Sequence, residues 1–174
     1  MFAVILIATL LADQGTKAWA HTLPVHPTGC VQPDQLLAFH CFGVPQPVVD
    51  GYWDWELAYN PGVAFSTFAS FTGHAGMQVI LSLIAVLALV GIAVLALRTS
   101  PHERGKRLAY ALVAGGALGN LVDRLQDGAV TDFVRWRIHD HRWPIFNLAD
   151  AALLIGVALL LIAGMRTRRT APSN

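Results

Sequence analysis

The stretch at residues 77–97, "MQVILSLIAVLALVGIAVLAL", contains no charged residue. A helix needs about 20 apolar residues to cross the hydrocarbon core of a bilayer, whereas the core helices of soluble proteins usually have shorter apolar runs. The sequence therefore predicts a membrane-spanning helix here. The fold of the whole chain must therefore place this segment in a bilayer.

The overall composition agrees with a membrane protein. The chain has 174 residues, of which 55% are hydrophobic and only 13% are charged, about half the charged fraction of an average soluble domain. The formal net charge is +1 and there is no long basic tract, so we expect no nucleic-acid partner. We expect one integral membrane domain that covers residues 1–174.

Three further segments are apolar enough to span a bilayer if a few polar groups are tolerated, namely residues 2–20, 108–123 and 145–165. The expected fold class is a mainly α, polytopic membrane protein with four transmembrane helices. An alternative for the first segment is a cleaved signal peptide, because "AWA" at 18–20 resembles a cleavage site. Against it, no positive charge precedes the apolar run, and Asp13 and Lys17 interrupt its end.

The orientation is predicted from the basic residues near the span ends, which favour the cytoplasm. They lie between the second and third spans and after the fourth: Arg98, Arg104, Lys106, Arg107, Arg166, Arg168 and Arg169. We therefore expect both termini to be cytoplasmic, and residues 21–76 and 124–144 to be extracytoplasmic. Four arginines oppose this rule, and contact with lipid phosphate or simple solvation would each explain them: Arg124, Arg135, Arg137 and Arg142.

The first extracytoplasmic segment, residues 21–76, is too long for a plain connection. Several prolines precede the aromatic run "GYWDWELAYN" at 51–60, which is typical of a short strand or an interfacial belt. We expect a small, partly β structure on the membrane surface that acts as a lid. Cys30 and Cys41 allow one disulfide in an oxidising compartment, or two free thiols.

In the predicted topology, the polar residues within the spans meet at one depth, near the outer edge of the hydrocarbon. Asn120 and Asp123 are three residues apart, as are Asn147 and Asp150, so each pair shares a helical face. The third span also carries the small residues Gly115, Gly116, Ala117 and Gly119, which allow another helix to approach closely. Ionisable groups in a membrane are costly, and this cluster predicts a functional site.

Two neighbouring carboxyl groups suit acid–base chemistry, because one keeps its proton while the other ionises. Such a pair splits water and needs no covalent intermediate, metal or cofactor. The residues alone favour Asp123 with Asp150, since both lie on predicted helices. His139 and His141, which flank Asp140, are a poor metal signature. An ion-coupled transporter and a non-catalytic scaffold remain as rivals, although transporter sites usually lie at the midplane.

Five motifs in order resemble those of the bacterial lipoprotein signal peptidases, also called signal peptidase II. They are "DQGTK" at 13–17, "YNPGVAFS" at 59–66, "GNLVDR" at 119–124, "VTDF" at 130–133 and "FNLAD" at 146–150. The resemblance implies an aspartic endopeptidase of the bacterial inner membrane that cleaves before the diacylglyceryl-modified cysteine of prolipoproteins. It also implies inhibition by globomycin-type cyclic peptides.

The same resemblance implies roles for individual residues. It makes Asp132 and Asp150 the catalytic pair, which replaces Asp123 by Asp132. Residues implied to bind the substrate are Asn60, Gly62, Asn120, Arg124 and Asn147. Supporting residues are Asp13, Lys17 and Asp123, the last in an ion pair or hydrogen bond. One departure is Pro61 in the "NPG" motif, which lacks a backbone N–H that peptide binding would use.

Overall fold

The computed structural model describes residues 1–25, 43–62, 66–138 and 141–169, and it describes only the backbone of residues 66–75, 142 and 166–169. Its helices are α1 (Phe2–Ala20), α2 (Ser66–Arg98), α3 (Arg104–Asp127) and α4 (Leu148–Arg169). Its strands are β1 (Gln46–Val49), β2 (Trp53–Asn60), β3 (Val130–Ile138) and β4 (His141–Arg142). Cys30, Cys41 and residues 26–42 of the expected lid lie outside the described residues, so the disulfide and the lid stay predictions.

Helix α3 lies at the centre of the bundle and packs against α1, α2 and α4. Its buried face consists largely of small residues: Ala109, Ala111, Ala114, Gly115, Gly116 and Gly119. A Cβ atom on Gly115 would lie 2.7 Å from Cβ of Thr9 on α1, and one on Gly116 would lie 2.4 Å from the carbonyl oxygen of Ala149 on α4. The predicted close approach of another helix is therefore confirmed, and both α1 and α4 approach α3 in this way.

The outer helices expose large apolar side chains instead of burying them. Val4 on α1, Leu87 on α2 and Leu154 on α4 are each 70–72% exposed, although such contiguous apolar surface is rare on soluble proteins. By length and composition, two helical stretches are able to cross a membrane, Gly76–Arg98 and Leu148–Met165. Because the bundle interior holds charged and amide side chains, the chain has the polar-inside, apolar-outside pattern of a membrane protein.

A four-stranded antiparallel sheet in the order β1-β2-β3-β4 covers one end of the bundle. Strand β2 confirms the strand predicted from the aromatic run, and it pairs with β3 so that Ala58 lies opposite Asp132. A small cluster of Ala20, Leu57 and Phe133 fixes the end of α1 to these strands. The sheet thus holds β3 against the ends of α1 and α3.

Two of the arginines that oppose the orientation rule have protein partners. Arg135 forms an ion pair with the buried Glu56, and the guanidinium of Arg137 lies 3.1 Å from Oδ1 of the buried Asp54. These pairs join β3 to β2 across the sheet. Neutralisation by acids of the neighbouring strand accounts for both arginines without a lipid phosphate.

Among the described residues, α1 has the predicted bounds of 2–20, whereas the other three helices begin or end elsewhere than predicted. Helix α2 begins at Ser66, eleven residues before the predicted span at 77, within the segment that we assigned to the extracytoplasmic structure. Helix α3 extends beyond 108–123 at both ends, and α4 begins at Leu148 rather than at residue 145. The apolar run marks the part of a helix that lies in lipid, whereas a helix continues into the polar boundary without that signal.

Candidate functional site

The polar residues expected at the site meet where the end of α3, the start of α4 and strand β3 come together. Asp132 on β3 is only 2% exposed. Its Oδ2 accepts a hydrogen bond of 3.0 Å from Nδ2 of Asn60, and its Oδ1 accepts one of 2.7 Å from Nδ2 of Asn147. Strand pairing supplies Asn60 and the start of α4 supplies Asn147, so the carboxyl group is held from two sides.

Asp150 lies in the first turn of α4, where its orientation is fixed by a reciprocal cap. The backbone N–H of Asp150 donates to Oδ1 of Asn147 at 2.9 Å, and the backbone N–H of Asn147 donates to Oδ2 of Asp150 at 3.3 Å. This is the capping-box arrangement at a helix N-terminus, with asparagine and aspartate in the two positions. Since the side chain of Asn147 donates to Asp132 and its backbone N–H donates to Asp150, one residue contacts both candidate catalytic carboxyl groups.

Asn120 on α3 provides a second donor to Asp150. Its Nδ2 lies 2.8 Å from Oδ1 of Asp150, and its Oδ1 accepts hydrogen bonds from Nδ2 of Asn147 and Nζ of Lys17. Asn120 and Asn147 are 6% and 0% exposed. Both amides bind protein groups in this structure, so a direct role in substrate binding stays a prediction for them.

The supporting residues form a buried ion cluster behind Asn120. The ammonium group of Lys17 lies 2.8 Å from Oδ2 of Asp13 and 2.8 Å from Oδ2 of Asp123. Asp13 also accepts the backbone N–H of Ala149 in the first turn of α4, at 2.9 Å. Asp123 accepts the backbone N–H of Thr131 at 3.0 Å, and thereby fixes the start of β3.

These contacts distinguish the surroundings of the two candidates for the second carboxyl group. Both oxygens of Asp123 are bound by protein donors, because Oδ1 accepts from Gln14 while Oδ2 faces Lys17 and Thr131. A carboxylate in that position orients its neighbours and is not available to water. The geometry favours the ion pair for Asp123 and brings Asp132, not Asp123, to Asp150 through Asn147.

The electrostatics of the strand position favour the protonated form of Asp132. Burial raises the pKa of Asp132 to about 8, and the nearby charge of Asp150 contributes in the same direction. The hydrogen bond from Asn60, the charge of Lys17 and the hydrogen bond from Asn147 lower the pKa but do not cancel these effects. Near neutral pH, Asp132 therefore keeps a proton that it can donate.

Gly62 holds Asn60 in place by its backbone. Its N–H donates to Oδ1 of Asn60 at 2.9 Å, and its φ of 97° lies in the region that favours glycine. A Cβ atom there would lie 2.6 Å from Cδ1 of Leu81 on α2. The neighbouring Pro61 accepts a hydrogen bond of 2.8 Å on its carbonyl oxygen from Gln78, which ties this turn to α2.

Two apolar clefts reach Asp150 from different sides. One, of 330 Å³, lies between α2, α3 and α4 and is lined by Leu81, Ile84, Ala85, Ala117, Asn120, Arg124, Asp150 and Leu153. The other, of 310 Å³, runs along the outer face of α4 beneath three aromatic rings and is lined by Trp136, Trp143, Phe146, Asp150, Ala151, Leu154 and Ile155. Arg124 donates to the carbonyl oxygen of Asn120 at 3.2 Å and forms part of the wall of the first cleft.

Some site residues were not found from the sequence. Gln14 bridges Asp13 and Asp123, and its place inside the "DQGTK" motif was a usable signal. Phe146 likewise lies inside the "FNLAD" motif, whereas Trp136, whose ring meets that of Phe146 edge to face at 5.4 Å, had no signal that connected it to α4. Asp127 is exposed at the end of α3. His139 and Asp140 lie outside the described residues, so the prediction of no metal site stays a prediction.

The fold and the site define a helical membrane protein in which one buried carboxyl group, that of Asp132, lies beside a second, that of Asp150, which lines two apolar clefts. The family model for signal peptidase (SPase) II, Peptidase_A8, matches residues 5–166. The chain belongs to this family. The match includes most of α1, whose Asp13 and Lys17 are buried in the site, and this favours a retained helix over a cleaved signal peptide.

Known relatives support the same assignment. A lipoprotein signal peptidase of Xylella fastidiosa (strain 9a5c) is 40% identical over 159 residues, which is 88% of this chain and 83% of the relative. One from Xanthomonas campestris pv. campestris (strain 8004) is 38% identical over 163 residues, or 90% and 86% of the two chains. A solved structure described as a bacterial membrane enzyme has a TM-score of 0.76 at 25% identity and covers 99% of this chain and 93% of its own.

Family membership makes this chain a membrane-bound peptidase. The function of the family is the cleavage of signal peptides from prolipoproteins, and the apolar helices agree with a membrane location. A transporter or a scaffold is not favoured by these similarities. The substrate chemistry, the residues that perform it and the arrangement in the membrane are taken up below.

Proposed function

We propose that this chain is an aspartic endopeptidase that hydrolyses the peptide bond just before the diacylglyceryl-modified cysteine of prolipoproteins, with Asp132 and Asp150 as its catalytic pair. The observation that carries the proposal is the shared contact of both carboxyl groups with Asn147. Two carboxyl groups held by one residue, with Asp150 at the end of two apolar clefts, suit a water-splitting reaction on an apolar substrate.

The proposed reaction uses one proton held by the pair. Asp132, with its raised pKa, donates its proton to the carbonyl oxygen of the scissile bond as water attacks the carbonyl carbon. The carboxylate of Asp150 takes a proton from that water. The tetrahedral intermediate then collapses, the C–N bond breaks, and Asp150 returns its proton to the leaving amine while Asp132 recovers its own. No covalent enzyme intermediate and no cofactor enter these steps.

The shape of the site supports a substrate with two apolar parts that meet near the scissile bond. A signal peptide would occupy the 330 Å³ cleft between α2, α3 and α4, where the guanidinium of Arg124 offers donors to its backbone. The acyl chains on the cysteine would lie in the 310 Å³ groove on α4, which is open sideways because Leu154 is 72% exposed. Asp150 lines both spaces.

The proposed membrane arrangement has four spans, with both termini in the cytoplasm and the site near the extracytoplasmic face of the bacterial inner membrane. The ends of α1 and α3 that carry Lys17 and Asp123 lie at the same end of the bundle as the start of α4. The connection between α2 and α3 lies at the other end, flanked by Arg98 and Arg104. The preference of basic residues for the cytoplasmic side supports this orientation.

The experiment that tests the proposal is cleavage of a diacylglyceryl-modified prolipoprotein by the purified protein in detergent. We expect activity in the wild type and a loss of at least about 10³-fold in Asp132→Asn and Asp150→Asn. Asp127→Asn is the matched control, because Asp127 is exposed at the end of α3, and it should retain wild-type activity.

Several outcomes would separate the parts of the proposal. We expect chelators to have no effect and globomycin-type cyclic peptides to inhibit. Cleavage that persists in either catalytic variant would contradict the catalytic assignment and direct attention to Asp123. A folded wild-type protein that never cleaves lipidated substrate would contradict the proposed substrate.

A further inference from the structure

Three asparagine amides surround the two catalytic carboxyl groups, and each presents its nitrogen to an aspartate. Nδ2 of Asn60 and of Asn147 donate to Asp132, at 3.0 Å and 2.7 Å. Nδ2 of Asn120 donates to Oδ1 of Asp150 at 2.8 Å. The aspartates therefore lie within a shell of N–H donors, although an asparagine side chain can in principle present either its oxygen or its nitrogen.

The orientation of each amide is explained by what its oxygen contacts. Oδ1 of Asn60 accepts the backbone N–H of Gly62, and Oδ1 of Asn147 accepts the backbone N–H of Asp150. Oδ1 of Asn120 accepts from Nζ of Lys17 at 3.1 Å and from Nδ2 of Asn147 at 3.0 Å. A backbone N–H and an ammonium group only donate. A rotated amide would place N–H against N–H on one side and oxygen against carboxylate on the other.

We infer that Lys17 is a positioning residue of the reaction, whose ammonium group fixes the amide of Asn120 so that Asn120 donates to Asp150. Two side chains donate to Oδ1 of Asn120, and because Nδ2 of Asn147 also donates to Asp132, Lys17 is the one whose substitution leaves the contact with Asp132 in place. The inference rests on the proposed function, because it takes Asp150 as the group that accepts a proton from water.

The chemical consequence concerns Asp150. A carboxylate that accepts an N–H from Asn120 is held in one orientation. If the amide rotated, Oδ1 of Asn120 would face Oδ1 of Asp150, and two acceptors would repel one another at a separation that is now 2.8 Å. Asp150 would then turn away and would no longer serve as the base.

Lys17 also neutralises two buried acids, and this second role has to be separated from the first. Lys17 is 3% exposed, and its Nζ lies 2.8 Å from Oδ2 of Asp13 and 2.8 Å from Oδ2 of Asp123. Asp13 holds the backbone of Ala149, next to Asp150. If Lys17 acts only through its charge, its removal would affect folding and the position of α4 whether or not Asn120 is present. If Lys17 acts through the amide of Asn120, its removal would lower the activity only when Asn120 is present.

The test is a double-mutant cycle on kcat for a diacylglyceryl-modified prolipoprotein, with Lys17→Met, Asn120→Leu and the combination. We expect each single variant to lose about 10- to 100-fold in kcat, with KM within about threefold of the wild type, because a hydrogen bond to a charged group is lost. The combination should be no worse than Asn120→Leu, within about twofold, since Lys17 acts through Asn120.

The matched control is Lys106→Met, which removes an exposed lysine that pairs with Glu103 at the other end of α3 and should leave kcat unchanged. If Lys17→Met does not fold, the same cycle is measured in an Asp123→Asn background, which removes one of the buried negative charges. Multiplicative losses in the combination would overturn the inference, as would an unchanged kcat in Lys17→Met.

Other outcomes are equally decisive. A raised KM at constant kcat in Asn120→Leu would assign Asn120 to substrate binding and also overturn the inference. These results are distinct from a failure of the proposed function, which would appear as continued cleavage by Asp150→Asn. Full activity in the wild type, loss in Asp150→Asn and a non-additive cycle together support the positioning role.

Discussion

Replacement of Gly116 by alanine should separate α3 from α4 and impair the site without changing a polar side chain. A Cβ atom at this position would lie 2.4 Å from the carbonyl oxygen of Ala149 and 3.0 Å from Cγ of Leu153. Real Cβ atoms essentially never come closer than 3.0 Å to a heavy atom to which they are not bonded. Because the closest atom belongs to the backbone, the helices have to move apart by roughly 0.6–1 Å.

That displacement acts on the catalytic geometry directly. Asn120 lies one helical turn after Gly116, and Asp150 follows Ala149, so the 2.8 Å hydrogen bond between them crosses the same contact. Separation by that amount lengthens it to roughly 3.4–3.8 Å, beyond the usual range. We expect a loss of about 1–3 kcal/mol in the free energy of unfolding and of about 10- to 100-fold in kcat.

The assay is cleavage of lipidated substrate in detergent, together with the thermal unfolding midpoint. Gly105→Ala is the control, because it lies on the same helix and its Cβ would have no heavy atom within 4 Å. Alanine favours a helix over glycine by about 0.8–1 kcal/mol, so this variant should be active and at least as stable as the wild type. Full activity of Gly116→Ala would refute the argument that this contact sets the distance between Asn120 and Asp150.

Three further predictions follow from the site. Because Asp132 has a pKa of about 8, kcat should fall as the pH rises above about 8. The folded state holds a proton on Asp132 that the unfolded chain releases near the ordinary pKa of 3.8. The contribution of Asp132 to the free energy of unfolding should therefore decrease between about pH 4 and pH 8. The unfolding midpoint of Asp132→Asn should lack this part of the pH dependence. Gly62→Ala should lose about 10-fold or more in kcat through Asn60 and about 1–3 kcal/mol in stability, whereas Gly51→Ala, also at positive φ but with open space around its Cβ, should lose stability alone. Ala151→Phe, which fills the groove on α4, should lower kcat/KM about 10-fold for substrates with long acyl chains but not for substrates with short ones. The control is Ala158→Phe at an exposed position of α4, which should leave kcat/KM unchanged for both kinds of substrate.

The sequence determined the helices and the order of the functional motifs. Uncharged runs of about 20 residues have few alternatives to a membrane helix, and α1 was predicted at its observed bounds. Strand β2 was predicted because aromatic and branched residues are typical of strands. Spacing placed Asn147 and Asp150 on one turn, and their reciprocal cap is a local interaction that four consecutive residues decide.

Only the tertiary structure shows that Asn147 contacts the carboxyl groups of both Asp132 and Asp150. The residues alone favoured Asp123 as the partner of Asp150, because nothing local shows that Lys17 reaches Asp123 over more than a hundred residues of sequence. Strand pairing brings Asn60 to Asp132, and the small face of α3 brings Asn120 to Asp150. These contacts depend on packing between distant segments, which a one-dimensional pattern of residue types records only as the presence of suitable partners.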